Sequence, residues 1–183
     1  MYYLLCILFN YNYSLNLHAD KKQLIINRLL EIENLTFKFE QITPGKKETG
    51  TCFLVFDSKL KCSYLDKTQK EIIINNKRLV IIQKRYNKIY SYPVSKSLFM
   101  EILNKKSLIK LVRESSLELK DNIRLIYLDK SKKKIIVFFE PKNYNLVGWQ
   151  IEDRFQNNIY FSLKIQDTNT EVDNNLFKIP SIN

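Results

Sequence analysis

Between Leu35 and Tyr92 the chain never leaves itself room to cross over a sheet. Leu35-Thr36-Phe37-Lys38-Phe39-Glu40 alternates apolar and polar residues, the period of a strand with one wet face. Similar segments follow at Thr51 to Phe56, Leu60 to Leu65, Glu71 to Ile74, Arg78 to Gln83 and Lys88 to Tyr92. Turn signals separate them at Thr43-Pro44-Gly45-Lys46-Lys47, at Asp57-Ser58 and at the tight Asn75-Asn76-Lys77. A parallel pair needs a crossover of about a dozen residues, so these strands must form an antiparallel meander.

The pattern breaks at Pro93. Ser95 to Asn104 places Leu98, Phe99, Ile102 and Leu103 on one helical face, with Ser95 or Ser97 as cap. Lys105-Lys106 would close that helix in the sense its dipole favours. A second helical piece is expected over Leu108 to Val112. Strands resume at Ile123 to Leu128, Lys134 to Glu140, Leu146 to Glu152 and Ile159 to Ile165, with a last one near Phe177. Asp129 to Lys134 and Pro141 to Asn145 read as hairpin loops. Ahead of the meander, Asp20 can cap a helix carrying Ile25, Ile26, Leu29, Leu30 and Ile32, which Asn34 would end. No repeat or linker divides the chain, so residues 20–183 are expected to form a single domain.

Residues 1–19 have a different character. Tyr2 to Phe9 is an apolar run far shorter than the roughly 20 residues of a bilayer span, but it suits the middle of a secretory signal. Leu17-His18-Ala19 offers a cleavage site, which would make Asp20 the first mature residue. No Lys or Arg precedes the run, so either translation starts upstream or the signal is atypical. The alternative is a buried first strand. Cys6 sits inside the run rather than after it, which does not fit a lipid-attachment cysteine.

Several function classes lose their chemistry here. The single histidine, His18, falls in the segment expected to be removed, which takes away the usual general base and the commonest metal ligand. Three glycines, Gly45, Gly50 and Gly148, cannot write a phosphate-binding loop or a dinucleotide fingerprint. Ser-x-x-Lys occurs at Ser58/Lys61, Ser107/Lys110 and Ser131/Lys134, as chance would produce in so lysine-rich a chain. The expectation is a protein that is not an enzyme and uses no cofactor and no metal. Lys and Arg number 30 against 19 acids, a net charge of +11. Such a balance points to nucleic acid or an anionic membrane, or reflects AT-biased coding. Lys84-Arg85-Tyr86-Asn87-Lys88-Ile89-Tyr90 interleaves cations with aromatics as single-strand binders do, although export would exclude that partner.

Two features concern the strands themselves. Thr51-Cys52-Phe53-Leu54-Val55-Phe56 and Ile135-Ile136-Val137-Phe138-Phe139 are apolar on both faces. A two-layer sandwich, or a sheet covered by helices on one side, would account for this, and so would a curved sheet whose inner face holds lipid. If their strands form a hairpin centred on Asp57, Cys52 and Cys62 face each other across it. They could form a disulfide in an oxidising compartment, or pack as two small apolar residues.

The order of these segments resembles the LolA family of periplasmic outer-membrane lipoprotein carriers, over roughly Leu24 to Pro180. Phe37-Lys38-Phe39-Glu40-Gln41 is similar to the family's F-x-F-x-Q strand. Gly50-Thr51-Cys52-Phe53-Leu54 resembles G-x-F-x-L, and Leu60-Lys61-Cys62-Ser63-Tyr64 resembles the following L-R-F-x-Y. Lys70 to Leu79 looks like the family's hairpin, and Tyr92-Pro93 followed by Leu98 and Leu103 like its passage into a central helix. Leu146-Val147-Gly148-Trp149-Gln150-Ile151-Glu152-Asp153 matches L-x-x-W-x-I-x-D, and Leu176-Phe177-Lys178-Ile179-Pro180 matches the closing L-F-x-I-P. The collinear order carries the resemblance. One departure matters: the family's Arg-Pro after G-x-F-x-L, whose Arg is linked to handing over cargo, is replaced by Phe56-Asp57. No functional Arg is therefore carried over.

The resemblance implies a mainly β (α+β) fold: an incomplete antiparallel β-barrel, closed by an N-terminal helix and a central helical insert around a hydrophobic cavity. It implies a monomeric periplasmic carrier of acylated lipoproteins in a Gram-negative bacterium, moving them from inner to outer membrane. Its partners would be an inner-membrane ABC-type release complex and an outer-membrane receptor, and nucleic acid would not be one. The alternative is another secreted lipid-binding protein or receptor of the same shape. Candidates for the acyl-binding wall are Phe37, Phe39, Phe53, Val55, Tyr90, Tyr92, Ile136, Phe138, Trp149, Ile151 and Phe161. Leu98, Phe99, Ile102 and Leu103 are candidates for a helical lid.

Overall fold

A computed structural model describes residues 18–56, 59–94, 102–128, 134–152 and 156–180. Residues 1–17 of the expected signal segment, the Asp57-Ser58 turn, residues 129–133 of an expected hairpin loop, and Ser95, Ser97, Leu98 and Phe99 of the expected helix lie outside these residues, whereas His18 and Ala19 belong to the first helix.

Helix α1 (residues 18–31) leads into β1 (Asn34–Thr43), β2 (Lys46–Val55), β3 (Lys59–Tyr64), β4 (Lys70–Asn75), β5 (Arg78–Gln83) and β6 (Lys88–Pro93). After helix α2 (Lys105–Glu114) come β7 (Ser116–Leu119), β8 (Ile123–Leu128), β9 (Lys134–Phe139), β10 (Leu146–Glu152) and β11 (Asn158–Thr168). All pairings are antiparallel, in the order β6-β5-β4-β3-β2-β1-β11-β10-β9-β8-β7. Two meanders are thus welded through β1 and β11, and the curved sheet does not close, because β6 and β7 remain edges.

Local chemistry explains the turns. Pro44-Gly45 joins β1 to β2, with Gly45 at φ +73°. Proline presets the first turn position and glycine alone takes the second without strain. Asn76 turns β4 into β5 at φ +54°, a conformation asparagine tolerates. At the weld, Asn34 exchanges hydrogen bonds with Thr170: its Nδ2 donates to the Thr170 carbonyl at 2.9 Å, and the Thr170 N–H donates back to its Oδ1 at 3.0 Å. Asn34 therefore opens β1 rather than ending the helix, and is buried because its amide is satisfied.

Other expectations are corrected. Asp20 lies inside α1 instead of capping it. Lys105-Lys106 opens α2 rather than closing the preceding helix, because Asn104 caps α2 by accepting from the Ser107 N–H at 2.9 Å. The segment near Phe177 is a 3-10 turn, Asn174–Phe177, not a strand. β7 was not expected, since Leu117 is its one buried residue and four residues show too little alternation.

The apolar outward residues on the β2 to β6 side now have a cause. The main core lies on the inner face, where Ile25, Ile26 and Leu29 of α1, Ile32 just after it, and Leu108, Leu111 and Val112 of α2 join inward residues of most strands. On the outer face Ile73, Val80 and Ile82 form a second cluster with Ile89 and Ile179. The chain after β11 covers that region: Asn75 donates to the Phe177 carbonyl at 3.2 Å, and the Phe177 ring lies 6.0 Å from Phe53.

Candidate functional site

Because successive side chains alternate faces, register decides which candidates look inward. Phe37 pairs with Cys52 and Ile165, Cys52 with Cys62, and Cys62 with Ile72. On the other flank Trp149 pairs with Phe161 and Val137. Phe37, Phe39, Trp149, Ile151 and Phe161 all share the inner face and are buried. Tyr90 and Tyr92 share it too, opposite Ile81 and Leu79, but as edge residues they are 39% and 50% exposed. Ile102 and Leu103 are buried in the same core.

Four wall candidates point the other way. Phe53 pairs with Lys61 and Val55 with Lys59, so both belong to the outer face, where Phe53 packs on Phe177. Ile136 pairs with Gln150 and Phe138 with Gly148, again outward. The inward residues of those strands are Cys52 and Leu54, and Ile135, Val137 and Phe139. Where both parities are apolar, sequence alone cannot choose between them.

Aromatic rings cross the inner face as a ladder. Trp149 stacks on Phe161 at 4.2 Å and 6°, Phe161 on Phe39 at 5.0 Å and 14°, and Tyr64 meets Phe39 edge-on at 4.9 Å. The last step spans β2, and Gly50 permits it. A Cβ at Gly50 would lie 2.7 Å from a Phe39 ring atom and 2.2 Å from the Ser63 carbonyl oxygen.

Past Tyr64 the ladder ends in charge. Lys70 Nζ sits 3.7 Å from the Tyr64 ring centre and bonds Glu48, which Lys46 also meets at 2.8 Å. The Tyr64 hydroxyl donates to Gln41 Oε1 at 3.2 Å. Burial would raise the Glu48 pKa, but bonds from Lys46 and Lys70 hold it below the ordinary value. Burial, with the carboxylates of Glu48 and Asp66, pushes the Tyr64 phenol up. Asp66 is likewise partly desolvated yet held low, because the Lys70 and Thr68 amides and the Thr68 hydroxyl donate to it. Sequence reasoning missed this cluster: Glu48 and Lys70 lie on strands separated by β3, and no local spacing announces them.

Beside the ladder lies an apolar cavity of about 40 Å³, lined by Leu60, Cys62, Tyr64, Ile72, Ile74, Leu79 and Phe161. Its walls are almost wholly apolar, and a space that offers no polar partners disfavours water. The cavity is a nucleus for an apolar ligand rather than a finished pocket. Only Phe161 among its walls stands among the sequence candidates. The alternation of Leu60, Cys62 and Tyr64 was legible, but not that it faced a space.

Cys52 and Cys62 are joined by a disulfide, with Cα atoms 4.1 Å apart. That short spacing belongs to a directly opposed, non-hydrogen-bonded pair. Where the family resemblance would place Arg-Pro, Phe56 instead meets Lys105 of α2, whose Nζ is 5.3 Å from the ring centre. Among the described residues no helix is long and apolar enough to cross a membrane, and no cluster of His, Cys, Asp or Glu could hold a metal.

An open antiparallel sheet with its apolar inner face under two helices defines a half-barrel with a small apolar cavity on that face. The chain belongs to the LolA family: the family profile described as outer membrane lipoprotein carrier protein LolA matches residues 31–180. The fold is similar to that of an uncharacterized conserved protein from Thermus thermophilus, at 8% identity and TM-score 0.53 over 86% of this chain and 93% of that one. It is also similar to the lipoprotein LppX of Mycobacterium tuberculosis, at 9% identity and TM-score 0.50 over 86% and 99%. The third example is MucB, at 12% identity and TM-score 0.52, where 89% of this chain covers 64% of that protein. No curated protein matches the sequence.

Proposed function

We propose that this protein is an exported carrier, not an enzyme, that shelters the acyl chains of lipoproteins on the inner face of its sheet. In this reading it moves them through the periplasm from the inner to the outer membrane. Residues 1–19 would serve as the export signal, residues 20–183 would travel as one monomeric domain, and the disulfide suits an oxidising compartment. An ABC-type release complex would load it and an outer-membrane receptor would unload it. The observation that carries the reading is the apolar cavity beside the aromatic ladder, on the helix-covered face of a LolA-family sheet.

The energetics suit a carrier. Each methylene kept from water contributes about 0.8 kcal/mol, so ten contribute roughly 8 kcal/mol. That gain can offset widening of the inner face, and the cost of widening keeps the bound state releasable. Trp149 stacks on Phe161, and Phe161 lines the cavity. Titrating the protein with a lipidated peptide should therefore shift the emission of its one tryptophan saturably, while the unacylated peptide should not. Absence of saturable binding by any acylated ligand would overturn the carrier reading.

A further inference from the structure

The open edge at β6 combines three features found together nowhere else among the described residues. First, the sequence holds no acidic residue between Glu71 and Glu101. Second, the β5–β6 hairpin and its turns expose Lys77, Arg78, Lys84, Arg85 and Lys88. Among the described residues only Lys84 of these meets a carboxylate, Glu71 at 2.7 Å. Arg78 reaches only the Ser91 hydroxyl at 3.4 Å, and Arg85 a backbone carbonyl at 3.4 Å. Third, Tyr86, Tyr90 and Tyr92 stand 54%, 39% and 50% exposed on the same hairpin.

We propose that this edge is a docking surface for an anionic phospholipid bilayer. The cations sit at the two ends of a six-residue strand, about 20 Å apart, with the tyrosines at one end and between them. Tyrosine settles at the headgroup level, where its ring is half wet, and each cation near an anionic leaflet strengthens adsorption about fivefold. Charge complementarity selects the partner: a hairpin with five cations and no acid in its own sequence, Lys84 being the one that meets a described carboxylate, attracts anionic headgroups. Tyr90 and Tyr92 also lie on the inner face, and Tyr92 pairs with the cavity residue Leu79. Docking here would set the unclosed side of the sheet against the membrane, so that an acyl chain could pass between bilayer and cavity by the shortest path. That consequence rests on the carrier reading, whereas adsorption itself does not.

Flotation of the unliganded protein with vesicles tests it. Phosphatidylcholine vesicles containing phosphatidylglycerol should carry the protein upward at low salt, and pure phosphatidylcholine vesicles should not. The double variant Arg85→Gln/Lys88→Gln should lower the partition constant roughly 30-fold at unchanged circular dichroism. Tyr90→Ser/Tyr92→Ser should lower it as well. The remote pair Lys142→Gln/Lys164→Gln should leave it close to wild type. Equal losses from the remote pair would mean diffuse charge and would overturn the docking surface. So would a lack of vesicle binding, or binding of a single-stranded oligonucleotide at this edge in place of vesicles. If acylated peptide still shifts Trp149 while vesicles fail to bind, the docking surface falls and the carrier reading stands; the reverse pattern separates them the other way.

Discussion

The two meanders use the same strand grammar to different ends. Across β8 to β10 the inner face is solid: Ile123, Leu125, Ile135, Val137 and Phe139 are each 0% exposed, and Trp149 lies flat on Phe161. Across β3 to β6 it loosens, first into the cavity below Leu79 and then into the exposed Tyr90 and Tyr92. One half behaves as a core that holds the sheet's shape. The other is an apolar surface only partly satisfied by its own chain, and restrained by local fixtures: the Cys52–Cys62 bond, the Glu48–Lys70 pair and the outer-face cover from Phe177. On the proposed carrier reading, the loosely packed half is where an apolar guest would enter.

The sharpest way to break this comparison is to place a charge in each half. Val137→Glu buries an unpaired carboxylate in the solid half and should cost more than about 5 kcal/mol, leaving the protein unfolded. Leu79→Glu meets a half-buried site beside the open edge, and should cost only about 1–2 kcal/mol while abolishing acyl binding. Thermal melts with peptide titration decide between them. Equal destabilisation would erase the distinction between the halves.

Smaller effects should follow from the restraints on the loose half. Cys52→Ala/Cys62→Ala opens a ten-residue separation and should cost about 2–3 kcal/mol. Hydrogen exchange should then speed up in β2 to β5 more than in β8 to β10. Lys70→Met should cost about 2 kcal/mol, less than a fully isolated buried pair loses, because Lys46 remains beside Glu48. Since the folded protein holds the Glu48 pKa below its ordinary 4.5, its contribution is complete above that pH. It is lost as pH falls through the lower, folded value. Glu48→Gln should flatten that acid limb, as followed by melts across the acid range.

Much of this division was legible in residues, but not all. The alternation in Leu35 to Glu40, the Pro44-Gly45 turn and the short connections define the meanders, because period and turn chemistry are local. The collinear motifs from Phe37 to Pro180 pointed to the family whose profile matches. The face of Phe53, Val55, Ile136 and Phe138 was not legible, since β2 and β9 are apolar on both parities and only pairing partners break the tie. The outer-face cover by Phe177 and Ile179 joins residues about a hundred positions apart, beyond any local pattern. The ion pair of Glu48 with Lys70 is hidden for the same reason.

The central claim is that an acyl chain enters the β3–β5 side of the inner face and leaves the β8–β10 side intact. An acylated peptide carrying a photoreactive group at the far end of its chain measures this directly. After irradiation and proteolysis, mass spectrometry should find the label on cavity residues such as Ile72, Ile74 and Leu79, or on neighbouring Tyr92. Label on the outward residues Phe53 or Phe138, or spread evenly over both halves, would contradict the account.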